Sequence, residues 1–177
     1  MSLREEILRE HSKSNTTKLA KWVAKDIARF HDLMNLFLHD EYRVIQRAAW
    51  IVRYVAEDHP DWISGYLKQM LEYCQEPVPD AVKRNVMRVL QDIEIPKKLH
   101  GIAATICFQL LASRIEPVAV KVFSMTVITN ITKDEPGLKD ELRVLIKEQM
   151  DIESAAFRSR GNKILKMLEQ DLLSCFL

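Results

Sequence analysis

The chain has 177 residues, with 26 basic and 25 acidic side chains, a formal net charge of +1 and 47% hydrophobic residues. That length supports one domain with a sizeable core, and the balanced charge gives no bulk preference for nucleic acid, an anionic membrane or an acidic partner. Glycine occurs only 4 times, against ~12 at average usage, which excludes a dinucleotide fingerprint or P-loop and argues against a hairpin-rich β fold.

The apolar pattern is helical almost throughout. Leu19, Val23, Ile27 and Phe30 mark one early face. Leu99, Ile102, Ala103, Ile106, Cys107, Leu110 and Leu111 mark a wide, two-sided stripe, and Leu138, Leu142, Leu145 and Ile146 a later face. Prolines 60, 77, 79, 96, 117 and 136 fall between these runs, where helices end or begin. The expected helices, in order, cover residues 3–11, 15–25, 27–39, 42–58, 61–75, 80–94, 97–112, 117–133, 137–151 and 154–173, and no strand is expected.

A period of 37 residues runs through these helices. Arg47, Arg84, Lys121 and Arg158 are separated by equal steps of 37. The positions two and three before each are apolar: Val44/Ile45, Ala81/Val82, Val118/Ala119 and Ala155/Ala156. Two positions after the basic residue come Ala49, Val86 and Phe123, and the series breaks at Arg160. An acidic residue precedes each copy, at Glu41, Asp80, Glu116 and Glu153. A helix pair cannot bury two apolar faces alone, so such units stack on one another.

The pieces Ile45-Gln46-Arg47, Val82-Lys83-Arg84, Val120-Lys121 and Phe157-Arg158, each behind an acid, resemble the HEAT repeats of the armadillo-like superfamily, of the kind found in bacterial proteins. The resemblance covers residues 15–173. It implies an all-α, right-handed α-α superhelix of about four helix pairs with a C-terminal capping helix. The chain is then expected to be a single domain over 1–177, with repeats at 15–39, 41–75, 79–112 and 116–151 and a cap at 154–173.

Two sets of residues are candidates for binding. Arg47, Arg84, Lys121 and Arg158, with Trp50, Arg53 and Arg88, would line a concave column that contacts acidic peptides or phosphates. The alternative is that each basic residue pairs with an acid near a helix start in its own or the adjacent repeat. Lys18, Lys21, Lys25 and Arg29 form a basic stripe at helical spacing beside Trp22, and residues 1–30 carry seven basic and four acidic side chains. This second patch would grip nucleic acid, or it is the solvated outer face of the first repeat. Bacterial HEAT-like glycosylases that excise alkylated bases use aromatic residues and an aspartate on a basic concave surface. By that resemblance Trp22 and Asp26 would stabilise the cationic sugar as the base leaves, although the pair sits near one end of the repeats.

Other chemistry is not expected. The histidines at 11, 31, 39, 59 and 100 form no metal-binding spacing, although His31 and His39 share a face through Asn35. No GxSxG occurs. Met34, Met70, Met87, Met125 and Met150 read as core filler. Cys74, Cys107 and Cys175 read as reduced thiols of a cytoplasmic protein, and no signal peptide, prenylation pattern or membrane span is expected. The expectation is a non-catalytic scaffold without cofactor or metal, binding a protein or peptide partner. The alternative is a DNA-binding protein related to those glycosylases.

Overall fold

A computed structural model of the chain describes residues 2–174, with the side chains of Ala81 and of residues 171–174 left out. The third cysteine, Cys175, lies outside the described residues. The protein is all-α, with eleven α-helices and no strand among the described residues. The chain divides into two compact units, Met1–Ile95 and Pro96–Leu177.

The first unit contains α1 (Leu3–Arg9), α2 (Lys13–Val23), α3 (Ile27–His39), α4 (Tyr42–Asp58), α5 (Pro60–Ser64), α6 (Leu67–Tyr73) and α7 (Asp80–Leu90). Short polar residues start the first three. The hydroxyls of Ser2 and Ser12 accept the backbone N–H groups of Glu5 and Asn15 at 3.5 and 3.1 Å, and Asp26 accepts that of Ala28 at 2.9 Å. Each cap satisfies a donor that has no partner inside the helix. Pro60 opens α5 and Pro79 precedes α7, positions where the missing N–H costs nothing.

Helix α4 is the centre of this unit, packing against α1, α2, α3, α5 and α7. Its buried face is Val44, Ile45, Ala48, Ala49, Ile51, Val52, Val55 and Ala56. Opposite it, α3 buries Phe30, Leu33, Met34 and Phe37 completely, and each such side chain contributes ~1.5–3 kcal/mol. The apolar positions around Arg47, and Val82 and Val86 around Arg84, thus belong to this core. The expected helix 61–75 is two helices, interrupted at Gly65 and Tyr66. Glycine is a poor helix residue, and at the break Tyr66 turns to α3, edge-on to Phe30 with ring centroids 6.0 Å apart and hydrogen-bonded to His31.

The second unit contains α8 (His100–Ala112), α9 (Val118–Ile131), α10 (Lys139–Gln149) and α11 (Ala155–Ser174), with 3-10 turns at Lys97–Leu99 and Pro136–Leu138 leading into α8 and α10. Pro96, Pro117 and Pro136 mark the three starts. Helix α9 is the inner element, packed against α8, α10 and α11. Of the wide stripe expected here, Ala103, Ile106, Cys107, Leu110 and Leu111 are buried while Leu99 and Ile102 are half-buried, and Ala104 and Phe108 are buried as well. Helix α11 approaches α10 closely at Gly161, where a Cβ would lie 2.9 Å from Ile146 Cγ2 and 3.1 Å from Met150 Sδ. In the fourth copy of the apolar column Ala155 and Ala156 are exposed, and Phe157 takes the buried position instead.

Candidate functional site

Within the first unit, α4 and α7 bring basic and aromatic side chains to one place. Trp50, Arg53 and Tyr54 stand at i, i+3 and i+4 on α4, and Arg84 and Arg88 at i and i+4 on α7, so each set shares a helix face. The guanidinium carbon of Arg88 lies 3.7 Å from the centroid of the Trp50 ring. Arg53 Nε is 2.9 Å from Asp92 Oδ2 and 3.3 Å from Glu57 Oε1. Arg84 makes no hydrogen bond or ion pair with a described residue. Burial pulls the Arg88 pKa below the ordinary guanidinium value; the neighbouring charge of Arg53 adds to this, Asp92 opposes it, and Arg84 lowers it further. The three guanidinium groups thus lie close enough to act on one another, while Asp92 and Glu57 offset part of that charge at Arg53.

Next to this cluster Trp50 and Tyr54 face a pocket of about 320 Å³, closed on the other side by His11, Ser12, Lys13 and Thr16. Two of those groups are already engaged: the Ser12 hydroxyl caps α2, and the Thr16 hydroxyl donates to Ser12 O at 2.9 Å. Lys13 and His11 remain exposed at the rim. A guanidinium attracted to an indole face is still able to donate N–H groups to a carboxylate or phosphate, which can take two parallel hydrogen bonds. Guanidinium, indole, phenol and amine thus lie side by side here, groups that can hydrogen-bond to or stack on a planar anion.

The remaining members of the 37-residue column do other work. Arg47 Nη1 donates to the carbonyls of Ile7 and Leu8 at 3.0 and 2.9 Å, closing the C-terminal end of α1. In the second unit Lys121 is only 2% exposed. Its Nζ lies 2.5 Å from Glu153 Oε1 and 2.9 Å from Gln149 Oε1, and Gln149 in turn donates to Leu111 O at 2.9 Å. Arg158 is exposed and donates to the Glu153 carbonyl at 2.6 Å. Glu153 of the fourth copy thus holds two basic residues of the column, Lys121 through its carboxylate and Arg158 through its backbone carbonyl.

On α2, Lys18, Lys21 and Lys25 are exposed. Trp22 and Asp26 are committed to the corner between α2 and α3. Arg29 covers the Trp22 ring, with its guanidinium carbon 4.1 Å from the centroid, and donates to Trp22 O at 2.9 Å. One oxygen of Asp26 caps α3 and the other is 3.5 Å from Arg29 Nε. His31 and His39 also have separate partners, the Tyr66 hydroxyl and the Tyr73 ring. Among the described residues no group of three or more His, Cys, Asp or Glu is placed to hold a metal ion, and no helix is long and apolar enough to cross a membrane. Cys74 and Cys107 are buried. Met34, Met70, Met87 and Met125 are fully buried, and Met150 is half-buried.

Three site residues had escaped the sequence reading: Tyr54, Asp92 and His11. Tyr54 is four residues after Trp50 and Asp92 four after Arg88, so helical spacing alone could have found both. His11 lies in the turn before α2, which periodicity does not reach.

Stacked, mainly consecutive helices built around inner helices α4 and α9 define a helical-repeat module of the scaffold type. A family model described as a HEAT repeat domain matches residues 3–168, and the chain belongs to that family. No curated protein and no solved structure matches the chain.

Proposed function

We propose that the chain is a non-catalytic binding module whose first unit receives an acidic segment of a protein or peptide partner on the surface formed by Trp50, Arg53, Arg84 and Arg88. The observation that carries this reading is the Arg88 guanidinium over Trp50, with Arg53 and Arg84 beside it and Arg84 making no ion pair with a described residue. An incoming carboxylate is thus bound by charge already assembled. A short acidic segment suits the site better than a nucleic-acid backbone, because Glu57 and Asp92 interrupt the positive surface, leaving Arg84 and Arg88 to meet one or two carboxylates and no continuous row of charge. The cysteine usage supports a cytoplasmic location in this reading.

A second reading, nucleic-acid binding, draws on the exposed amines of Lys18, Lys21 and Lys25 along α2. It is weakened as a base-excising activity by the structural use of Trp22 and Asp26 at the helix corner. Fluorescence anisotropy with a labelled oligoglutamate peptide and with a duplex DNA, each titrated at low and moderate salt, separates the two. The first reading expects saturable peptide binding that Arg84→Ala with Arg88→Ala weakens at least tenfold. Duplex binding with a steep salt dependence, unaffected by that pair of substitutions, would replace it with the second.

A further inference from the structure

The second unit carries a larger pocket, about 740 Å³, between α8 and the turn that opens α10. That volume lies within the range of ~300–1,000 Å³ usual for small-ligand sites. Gly101 and Gly137 both line it, and a Cβ built on either meets no heavy atom within 4 Å. Each of the two glycines thus has open space at its own Cα on the lining of this pocket. Ala104, Phe108 and Leu138 give it an apolar lining.

Its charge is uneven. The only lysine on the lining, Lys97, has its Nζ 3.0 Å from Asp134 Oδ1, so that cation already has its counter-ion. Two carboxylates remain, Glu135 and Glu141. Glu135 Oε1 lies 3.4 Å from Nδ1 of His100, a side chain only 7% exposed, and the Glu135 side chain itself is 49% exposed, so it can meet a ligand. Glu141 makes no hydrogen bond or ion pair with a described residue. Apolar lining and two acids fit a positive head on a hydrocarbon stem: the stem displaces water from Ala104, Phe108 and Leu138, and the head is matched by the carboxylates.

We propose that this pocket binds an organic cation on a short apolar stem, of the alkylguanidinium class, with Glu135 and Glu141 as its anionic partners. The site is separate from the Trp50 surface and stands or falls independently of it.

Isothermal titration calorimetry of the full chain with n-butylguanidinium, and with n-butylurea as its uncharged isostere, tests the assignment. Saturable binding of the guanidinium is expected, with the urea at least tenfold weaker. Glu141→Gln and Gly101→Leu should each weaken the guanidinium at least tenfold. Neither substitution touches the core, and an unchanged thermal unfolding midpoint verifies that each variant is folded; Gly137→Ala serves if Gly101→Leu lowers it. A capped peptide bearing one arginine distinguishes the source of the cation: tighter binding than n-butylguanidinium assigns the pocket to a partner's side chain, equal binding to a free small molecule, and both uphold the ligand class. No saturable binding of n-butylguanidinium, equal affinity for n-butylurea, or full affinity in folded Gly101→Leu overturns it.

Discussion

Arg88 on α7 lies over Trp50 on α4, its guanidinium carbon 3.7 Å from the indole centroid. The contact ties together two helices that are far apart in sequence, and it holds a cation in a half-buried position where its neighbours Arg53 and Arg84 oppose it. Charge held in place against repulsion is what a binding surface for an anion requires, and the contrast with other members of the same repeating column is measurable.

Arg47 and Arg84 occupy equivalent places in the 37-residue period, yet their substitutions should behave differently. Arg47 satisfies two carbonyls at the end of α1, and charge-assisted hydrogen bonds are worth ~1.5–3 kcal/mol. Urea unfolding of Arg47→Ala should show a loss of that size. Arg84→Ala, with no described partner to lose, should stay within about 0.5 kcal/mol of the parent. Equal losses in the two variants would contradict the structural assignment of Arg47.

Lys121 is buried and pairs with the half-buried Glu153, with 3% and 18% of their side chains exposed. Removing one partner leaves a charge without compensation, so Lys121→Met should cost about 3 kcal/mol. The double variant Lys121→Met with Glu153→Gln should be more stable than the sum of the single changes. A double-mutant cycle by chemical denaturation reads the coupling, and additive losses would show that the pair contributes nothing.

Asp40 reports on acid stability. Arg4 donates to both its oxygens, from Nε at 2.9 Å to Oδ2 and from Nη2 at 3.0 Å to Oδ1, and the Glu41 N–H donates at 2.7 Å. The hydrogen bonds from Arg4, more than the opposing effect of burial, hold its pKa below the ordinary 3.8. A folded pKa below the unfolded one means that the stabilisation is complete above 3.8 and is lost as the pH falls through the folded value. In Arg4→Met, a carboxyl NMR titration should move Asp40 upward, and the acid-unfolding midpoint should rise with it. An unmoved Asp40 titration would remove the pair from the account.

Two glycines should respond in opposite directions. Gly161 is packed against Ile146 and Met150, and Ile146 is fully buried and stiff at its branched carbon. Gly161→Leu should lose ~1–3 kcal/mol through overpacking. Gly65 has φ −67° and open space around it, so Gly65→Ala should gain ~0.4–1 kcal/mol. Thermal unfolding of both variants gives the comparison.

Much of this molecule was legible in the sequence because helices advertise themselves locally. The spacing of Val44, Ile45, Ala48 and Ala49 and the positions of Pro60, Pro79, Pro96, Pro117 and Pro136 are consequences of one helix and its caps, and these helices form close to where the pattern puts them. The interruption at Gly65 and Tyr66 was not legible, since Tyr66 turns toward His31 and Phe30 on another helix. The fate of each basic residue was hidden for the same reason. Period and charge are equal at Arg47, Arg84 and Lys121, but their partners come from distant residues: Ile7 and Leu8 for the first, Gln149 and Glu153 for the last. The pocket in the second unit is lined by Gly101 and Gly137, whose separation of 36 residues is visible in the sequence while their place on one lining is not.

The most direct test of the proposed function uses the three tryptophans, whose indole N–H groups give three separate NMR resonances. Trp50 lies in the proposed surface, Trp22 beside the basic stripe of α2, and Trp62 against Phe30 with ring centroids 5.7 Å apart. Titration of oligoglutamate into the isotopically labelled protein should shift the Trp50 resonance in a saturable manner and leave Trp22 and Trp62 in place, with the shift abolished in Arg84→Ala with Arg88→Ala. A stationary Trp50 resonance, or a saturable shift confined to Trp22, would contradict the assignment of the Trp50–Arg88 surface as the binding site.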